Sequence, residues 1–182
     1  MAFPALLDTC TIFGGALNDL FLTLAETGTF RPMWSAGILE ELERNLLKRG
    51  LPHDPIRNCI TNMQSAFPDA EVHGYESLAP QMTCDEDDRH VLAAAVRGDA
   101  AVLVTFNLRH FPNDALAPYD LDAIHPDEFL LNQLDLHPEE TVGAVLRQAD
   151  AYENPPLTTT ELLTQLAKAG VPKFAEAVLR LL

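Results

Sequence analysis

The stretch Ala101-Val102-Leu103-Val104-Thr105 is an unbroken apolar, β-branched run. A strand of that composition is covered on both faces, as the central strands of parallel sheets are. Just before it, Val91, Leu92, Ala95 and Val96 fall on one side of a helix that closes at Arg97-Gly98. Working outward, Phe3 to Leu7 is a second short apolar run, and it stops abruptly at Asp8-Thr9. Leu17, Leu20, Phe21, Leu24 and Ala25 then recur at helical spacing up to Gly28, followed by the extended stretch Phe30 to Trp34. Strands alternating with helices predict an α/β fold with a mostly parallel sheet, in which ligands bind beyond the carboxyl ends of the strands. Asp8 and Thr105 both belong there.

Ser35 is a good N-cap for a helix whose stripe is Ile38, Leu39, Leu42 and Leu46, running through Lys48-Arg49 to Gly50. Asp54-Pro55 reads as an N-cap with proline at the first helical position, opening a helix to about Phe67. Ala70 to His73 and Ala123 to His125 are short strand candidates. From Pro126 onward the pattern is helical: Asp127 to Leu134, Pro138 to Tyr152, a Thr158-x-x-Glu161 capping box, and a last amphipathic set after Val171-Pro172. Asn154-Pro155-Pro156 is the clearest linker. The division expected is 1–130 as the α/β domain and 131–182 as a helical extension. The extension should pack on the core, since Val142, Val145, Leu146, Leu162, Leu163, Leu166 and Leu179 need burial.

Twelve Lys+Arg against 27 Asp+Glu leave 182 residues with a formal charge of −15, which excludes a basic nucleic-acid-binding module. The charge is not one acidic tail: residues 1–125 hold 18 acids and 8 bases, and 126–182 hold 9 and 4. Cys10, Cys59 and Cys84 are too few and too scattered for a disulfide framework or a metal knuckle, which suits a reducing compartment. No basic leader or long apolar run occurs, so a cytoplasmic protein with no membrane association is expected.

The acids carry the chemistry. Asp88 falls near the middle of the apolar stripe of the Val91 helix, and Asp85 lies one turn earlier on the same side, whereas Glu86 and Asp87 point away. A carboxylate on a buried face needs either a basic partner, an arginine being the plainest choice, or a cation. Asp8 poses the same question at the end of its strand. Converging carboxylates suit Mg²⁺ or Mn²⁺, which bind phosphates. Glu40, Glu41 and Glu43 on the Ser35 helix are candidates for a further ligand, and periodicity does not choose among them. The histidines show no metal-ligand spacing and read as surface or capping residues.

Taken together, Leu7-Asp8-Thr9, Ile38-Leu39-Glu40-Glu41-Leu42, Asp85 through Ala95, and Val104-Thr105-Phe106-Asn107 resemble a PIN domain over roughly residues 3 to 130. The closest resemblance is to VapC-type toxins with a helical C-terminal extension. It implies a three-layer α/β/α nuclease domain with a mostly parallel central sheet, plus C-terminal helices. It also implies a metal-dependent endoribonuclease, the toxin of a toxin–antitoxin pair, which acts on RNA and is inhibited by a cognate antitoxin. The motifs carry over Asp8, Glu41 and Asp88 as the acids and place Asn107 where many relatives have a fourth carboxylate. Those four would be the catalytic, metal-holding set, with Mg²⁺ or Mn²⁺ as cofactor and Thr105 and Asp85 in support. Cys10 replaces the asparagine that often follows the Asp-Thr pair.

The expected reaction is in-line hydrolysis of an RNA phosphodiester by metal-activated water, leaving 5′-phosphate and 3′-hydroxyl ends. Arg44, Lys48 and Arg109 are the candidates for touching RNA phosphates. Such toxins commonly dimerise, so a homodimer is the expected assembly. Two other readings compete. One is a PIN-fold interaction module with weak or lost catalysis through Asn107. The other is an aspartyl-phosphate phosphatase of haloacid dehalogenase type, disfavoured because Cys10 stands where its second aspartate belongs.

Overall fold

A computed structural model describes residues 2–153 and 155–182. In chain order the main elements are β1 (Phe3–Leu7), α1 (Thr9–Ile12), α2 (Gly15–Ala25), β2 (Phe30–Ser35), α3 (Ala36–Lys48), α4 (His53–Ala66), β3 (Glu71–Val72), α5 (Arg89–Arg97) and β4 (Val102–Val104). There follow α6 (Asn113–Leu116), β5 (Asp122–Ile124), α7 (Pro126–Leu136), α8 (Pro138–Ala151), α9 (Thr159–Lys168) and α10 (Pro172–Leu179). The five strands form one parallel sheet in the order β3-β2-β1-β4-β5. The chain winds from β1 through β2 to β3 on one side, then crosses back to β4 on the other side of β1 and on to β5, so the strand order reverses between β1 and β4. The carboxyl ends of β1 and β4 therefore flank the crevice where an open α/β sheet binds ligands.

Alternation along β2 explains the layers. Phe30 and Trp34 share one face: Phe30 meets Phe21 of α2 and Phe129 of α7, and Trp34 meets Phe67 at the end of α4. Met33 faces the other side, toward the end of α5. There a Cβ on Gly98 would lie 2.1 Å from Met33 Cε and 2.8 Å from Val72 Cγ2, so this close helix–sheet approach requires glycine. Phe3, Phe21, Phe30 and Phe129 form an aromatic cluster joining β1, α2, β2 and α7.

Helices α8 and α9 lie against α2, and α10 packs on α7 and α9. The buried Asp127 in α7 accepts from the backbone N–H groups of Lys173 (3.2 Å) and Phe174 (2.8 Å), capping the start of α10. Val145, Leu162, Leu163 and Leu166 are buried, but Leu146 and Leu179 are exposed, so two positions of the expected apolar stripe face solvent. Helix α4 begins at His53 with Pro52 as its N-cap, two residues earlier than Asp54-Pro55 suggested; Asp54 instead sits in the first turn, where a carboxylate complements the helix dipole. Asn154 of the expected linker lies outside the described residues, and its neighbours Glu153 and Pro156 form an isolated antiparallel bridge.

The caps expected at Ser35 and Thr158 form: Ser35 Oγ accepts from Ile38 N, and Thr158 and Glu161 make a reciprocal capping box. Hydrogen bonds from Thr158 hold the Glu161 carboxyl below its ordinary value of 4.5. A carboxyl lowered in the folded state stabilises above its unfolded value and loses that contribution as pH falls through the lowered one. Thr158→Ala should therefore lower the urea midpoint near pH 7 by more than at pH 3, as circular dichroism melts at the two pH values would show.

Candidate active site

At the switch point, Asp8 N donates to Val104 O (3.1 Å), extending the β1–β4 pairing by one residue and fixing the Asp8 backbone. Its carboxylate is buried, 3% exposed, and held by three donors. Thr9 N donates to Oδ1 (2.7 Å), and Thr105 Oγ1 (2.7 Å) and Cys10 Sγ (3.0 Å) donate to Oδ2. Asn107 N in turn donates to Thr105 Oγ1 (3.0 Å), so the Thr105 hydroxyl links the Asp8 carboxylate to the turn bearing Asn107. Phe106 N donates to Cys10 Sγ (3.3 Å), which ties that turn to α1 as well.

Helix α3 brings up Glu41. Thr9 Oγ1 donates to its Oε2 (3.1 Å), Asn45 Nδ2 reaches Oε1 (3.5 Å), and His90 Nε2 lies 3.5 Å from Oε2. The structure thereby separates the three glutamates: Glu41 faces Asp8, Glu40 is exposed, and Glu43 pairs with His53 at 3.7 Å. Asp88 lies in the 3₁₀ turn Glu86–Asp88 ahead of α5, where His110 Nδ1 approaches its Oδ2 at 2.6 Å. Asp85 N donates to His110 O (3.1 Å), joining this turn to the one that follows Asn107.

Asp8, Glu41, Asp88 and Asn107 line one cavity of about 390 Å³, together with Thr9, Cys10, Phe13, Asn45, Lys48 and Arg49. A larger cavity of about 700 Å³ lies among α2, α4 and α8 and contains none of these acids. Of the residues expected in support, Thr105 is fully buried against Asp8, while Asp85 is exposed and groups with Asp88 and His110, their ligand atoms all within 4.8 Å of one another. Among the basic candidates, Lys48 lines the site; Arg44 lines an adjoining cavity with Glu41 and Asp88; and Arg109 is exposed and lines neither.

The histidines correct the sequence reading. His125 does cap α7, accepting from Asp127 N, and His53 and His73 are exposed. His90 and His110, however, are only 28% exposed and each orients one of the acids. No spacing signal revealed them, because each meets a carboxylate brought in by a different element. His110 follows Asn107 by three residues, the one local hint.

Electrostatics differ across the cavity. The hydrogen bond from His90 holds Glu41 below its ordinary range, against the opposing effect of burial. Burial pushes Asp88 up, and the nearby Asp8 charge adds to it against the pull of His110. The Cys10 thiol is pushed up to about 12 by burial and by the Asp8 charge. Reactivity follows thiolate content, so Cys10 should resist iodoacetamide at pH 8 in native protein and react after urea unfolding, as peptide mass spectrometry would show. Native alkylation at the unfolded rate would contradict the half-buried, carboxylate-facing thiol.

No lysine or arginine makes an ion pair with Asp8, Glu41 or Asp88 among the described residues, which removes the plain salt-bridge explanation for their burial. Three carboxylates and an amide around one small cavity match the oxygen-rich donor set of a hard divalent cation. Asp8 is also poorly placed as a phosphate acceptor of the dehalogenase kind, since three donors already engage its two oxygens and Cys10 supplies no acid.

Comparisons with known proteins bear on the fold and family. Residues 4–109 match the PIN domain model, and residues 126–180 match the model of the VapC50 C-terminal domain. The chain is 47% identical over 128 residues to the protein named "Putative ribonuclease VapC50" from Mycobacterium tuberculosis (strain ATCC 25618 / H37Rv), covering 70% of this chain and 75% of that protein. No solved structure matches. With the parallel sheet, the acids at its switch point and these two matches in hand, the chain belongs to the PIN-domain family, in the VapC-type toxin ribonuclease branch that carries a helical C-terminal extension.

Proposed function

We propose that this chain is a metal-dependent endoribonuclease, the toxin of a toxin–antitoxin pair, with residues 1–130 as the nuclease domain and 131–182 as the helical extension. The observation that carries the reading is the meeting of Asp8, Glu41, Asp88 and Asn107 around one cavity, with no lysine or arginine ion-paired to the acids among the described residues. These four residues would hold Mg²⁺ or Mn²⁺. When bound, the cation supplies a water ionised near neutral pH and offsets the charge that builds on phosphate during in-line hydrolysis.

The protein's own part is positioning. Thr105 Oγ1, Cys10 Sγ and Thr9 N hold the Asp8 carboxylate, which lines the cavity. Thr9 Oγ1, Asn45 and His90 hold Glu41, and His110 holds Asp88. Outer partners of this kind keep ligand groups oriented before anything binds. Asp85 supports the Asp88 turn by accepting from Asp87 N (3.2 Å). Arg44, Lys48 and Arg109 are the proposed phosphate contacts. The hydrolysis leaves 5′-phosphate and 3′-hydroxyl ends on RNA. A cognate antitoxin, a homodimeric assembly and a cytoplasmic location complete the proposal; no helix among the described residues is long and apolar enough to cross a membrane.

Asn107→Asp tests the metal set. A fourth carboxylate favours a dication more than an amide oxygen does. The variant should reach half-maximal cleavage of labelled single-stranded RNA at a lower Mg²⁺ or Mn²⁺ concentration than wild type. Superimposed titrations of the two folded proteins would place Asn107 outside the set.

A further inference from the structure

Beside the acids, the wall of the site cavity continues over the last turn of α3 and the end of α1 with Asn45, Lys48, Arg49 and Phe13. Glu41, Asn45, Lys48 and Arg49 stand at i, i+4, i+7 and i+8, so one face of α3 runs from acid through amide to cation. Arg49, whose backbone continues the helical geometry as the C-cap, places its guanidinium over the Phe13 ring, 4.2 Å from the centroid. Neither Lys48 nor Arg49 forms an ion pair among the described residues, in a chain with 27 acids.

We propose that this wall grips single-stranded RNA beside the acids, with a base stacked on the Arg49–Phe13 pair and Lys48 neutralising a neighbouring phosphate. The inference rests on the ribonuclease reading and names residues and a strand form for it. A chain of charge −15 repels a polyanion at long range, so RNA can enter only where cations stand at the cavity itself. Arg49 is exposed where its guanidinium lies over Phe13, and planar guanidinium and aromatic faces are what unstacked bases pack on. A base within a duplex cannot reach them.

The test uses full-length protein carrying Asp8→Asn, so that RNA stays intact, with Mg²⁺ present at several KCl concentrations. Fluorescence anisotropy measures binding of a labelled single-stranded uridine 12-mer and of an abasic ribose-phosphate 12-mer. Added Arg49→Ala or Phe13→Ala should weaken uridine 12-mer binding by about tenfold, in the range of one lost base stack, with little effect on the abasic strand. Lys48→Ala should weaken both strands and reduce the salt slope by about 0.7, the share of one phosphate contact on a single strand. Arg49→Lys keeps the charge without the plane, so it should retain the salt slope while losing the uridine preference; it also guards against misfolding of the alanine variants. Lys168→Ala, an exposed cation outside the cavity, should change nothing. Unchanged uridine binding in Arg49→Ala and Phe13→Ala, equal losses on the abasic strand, or no binding by the parent would overturn the proposal. Failure of wild type to cleave RNA at any metal concentration would instead overturn the reading beneath it.

Discussion

Asp8→Asn is expected to lower RNA cleavage by more than the roughly 10–100-fold that loss of an outer partner typically causes, because it removes charge from the proposed ligand set itself. The fold should survive. Asn can keep the acceptor that Thr9 N uses, and Thr105 Oγ1 can turn to accept from the new amide, while one charge leaves a cavity where it has no basic partner. The urea midpoint should therefore shift by no more than about 1–2 kcal/mol equivalent in either direction. Thr105→Val is the informative companion: it keeps the carboxylate but frees its orientation, and should reduce cleavage by about tenfold, less than Asp8→Asn. Equal activity of Asp8→Asn and wild type would remove Asp8 from the chemistry.

Phe129→Ala should be the most damaging change to stability, at about 3–5 kcal/mol in urea unfolding. Phe129 is 2% exposed, and its ring lies 5.0 Å from that of Phe30, 5.5 Å from Phe21 and 6.0 Å from Phe3. The same helix supplies Asp127, which caps α10, so α7 connects the C-terminal helices to both the sheet and α2. If the variant unfolds within about 1 kcal/mol of wild type, α7 is not the joint between sheet and C-terminal helices that its packing indicates.

Much of this was legible in the sequence because the signals were local. An apolar run that ends in Asp8 announces a strand end, and Thr105 announces another. Parallel pairing then brings them within hydrogen-bond reach. Ser35 and Thr158 were readable as caps because capping chemistry spans three residues. Glu41 was not separable from Glu40 and Glu43 by periodicity, since all three sit off the apolar stripe and only the approach of Thr9 and His90 distinguishes them. His90, His110 and the Arg49–Phe13 pair were hidden for the same reason: each gains its role from a partner on another element. Leu146 and Leu179 show the converse limit, since an apolar residue at helical spacing still faces solvent where no neighbouring helix covers it.

The most direct measurement is cleavage of a 5′-labelled single-stranded RNA by wild-type protein, first stripped with EDTA and then titrated with Mg²⁺ or Mn²⁺, with the ends of the products mapped. No cleavage in EDTA, a saturable rise with metal, and 5′-phosphate and 3′-hydroxyl ends are expected from a water-driven hydrolysis at the Asp8, Glu41 and Asp88 cavity. Cleavage that persists in EDTA, or products ending in a 2′,3′-cyclic phosphate, would contradict it, and a folded protein inert at every metal concentration would favour an interaction module instead.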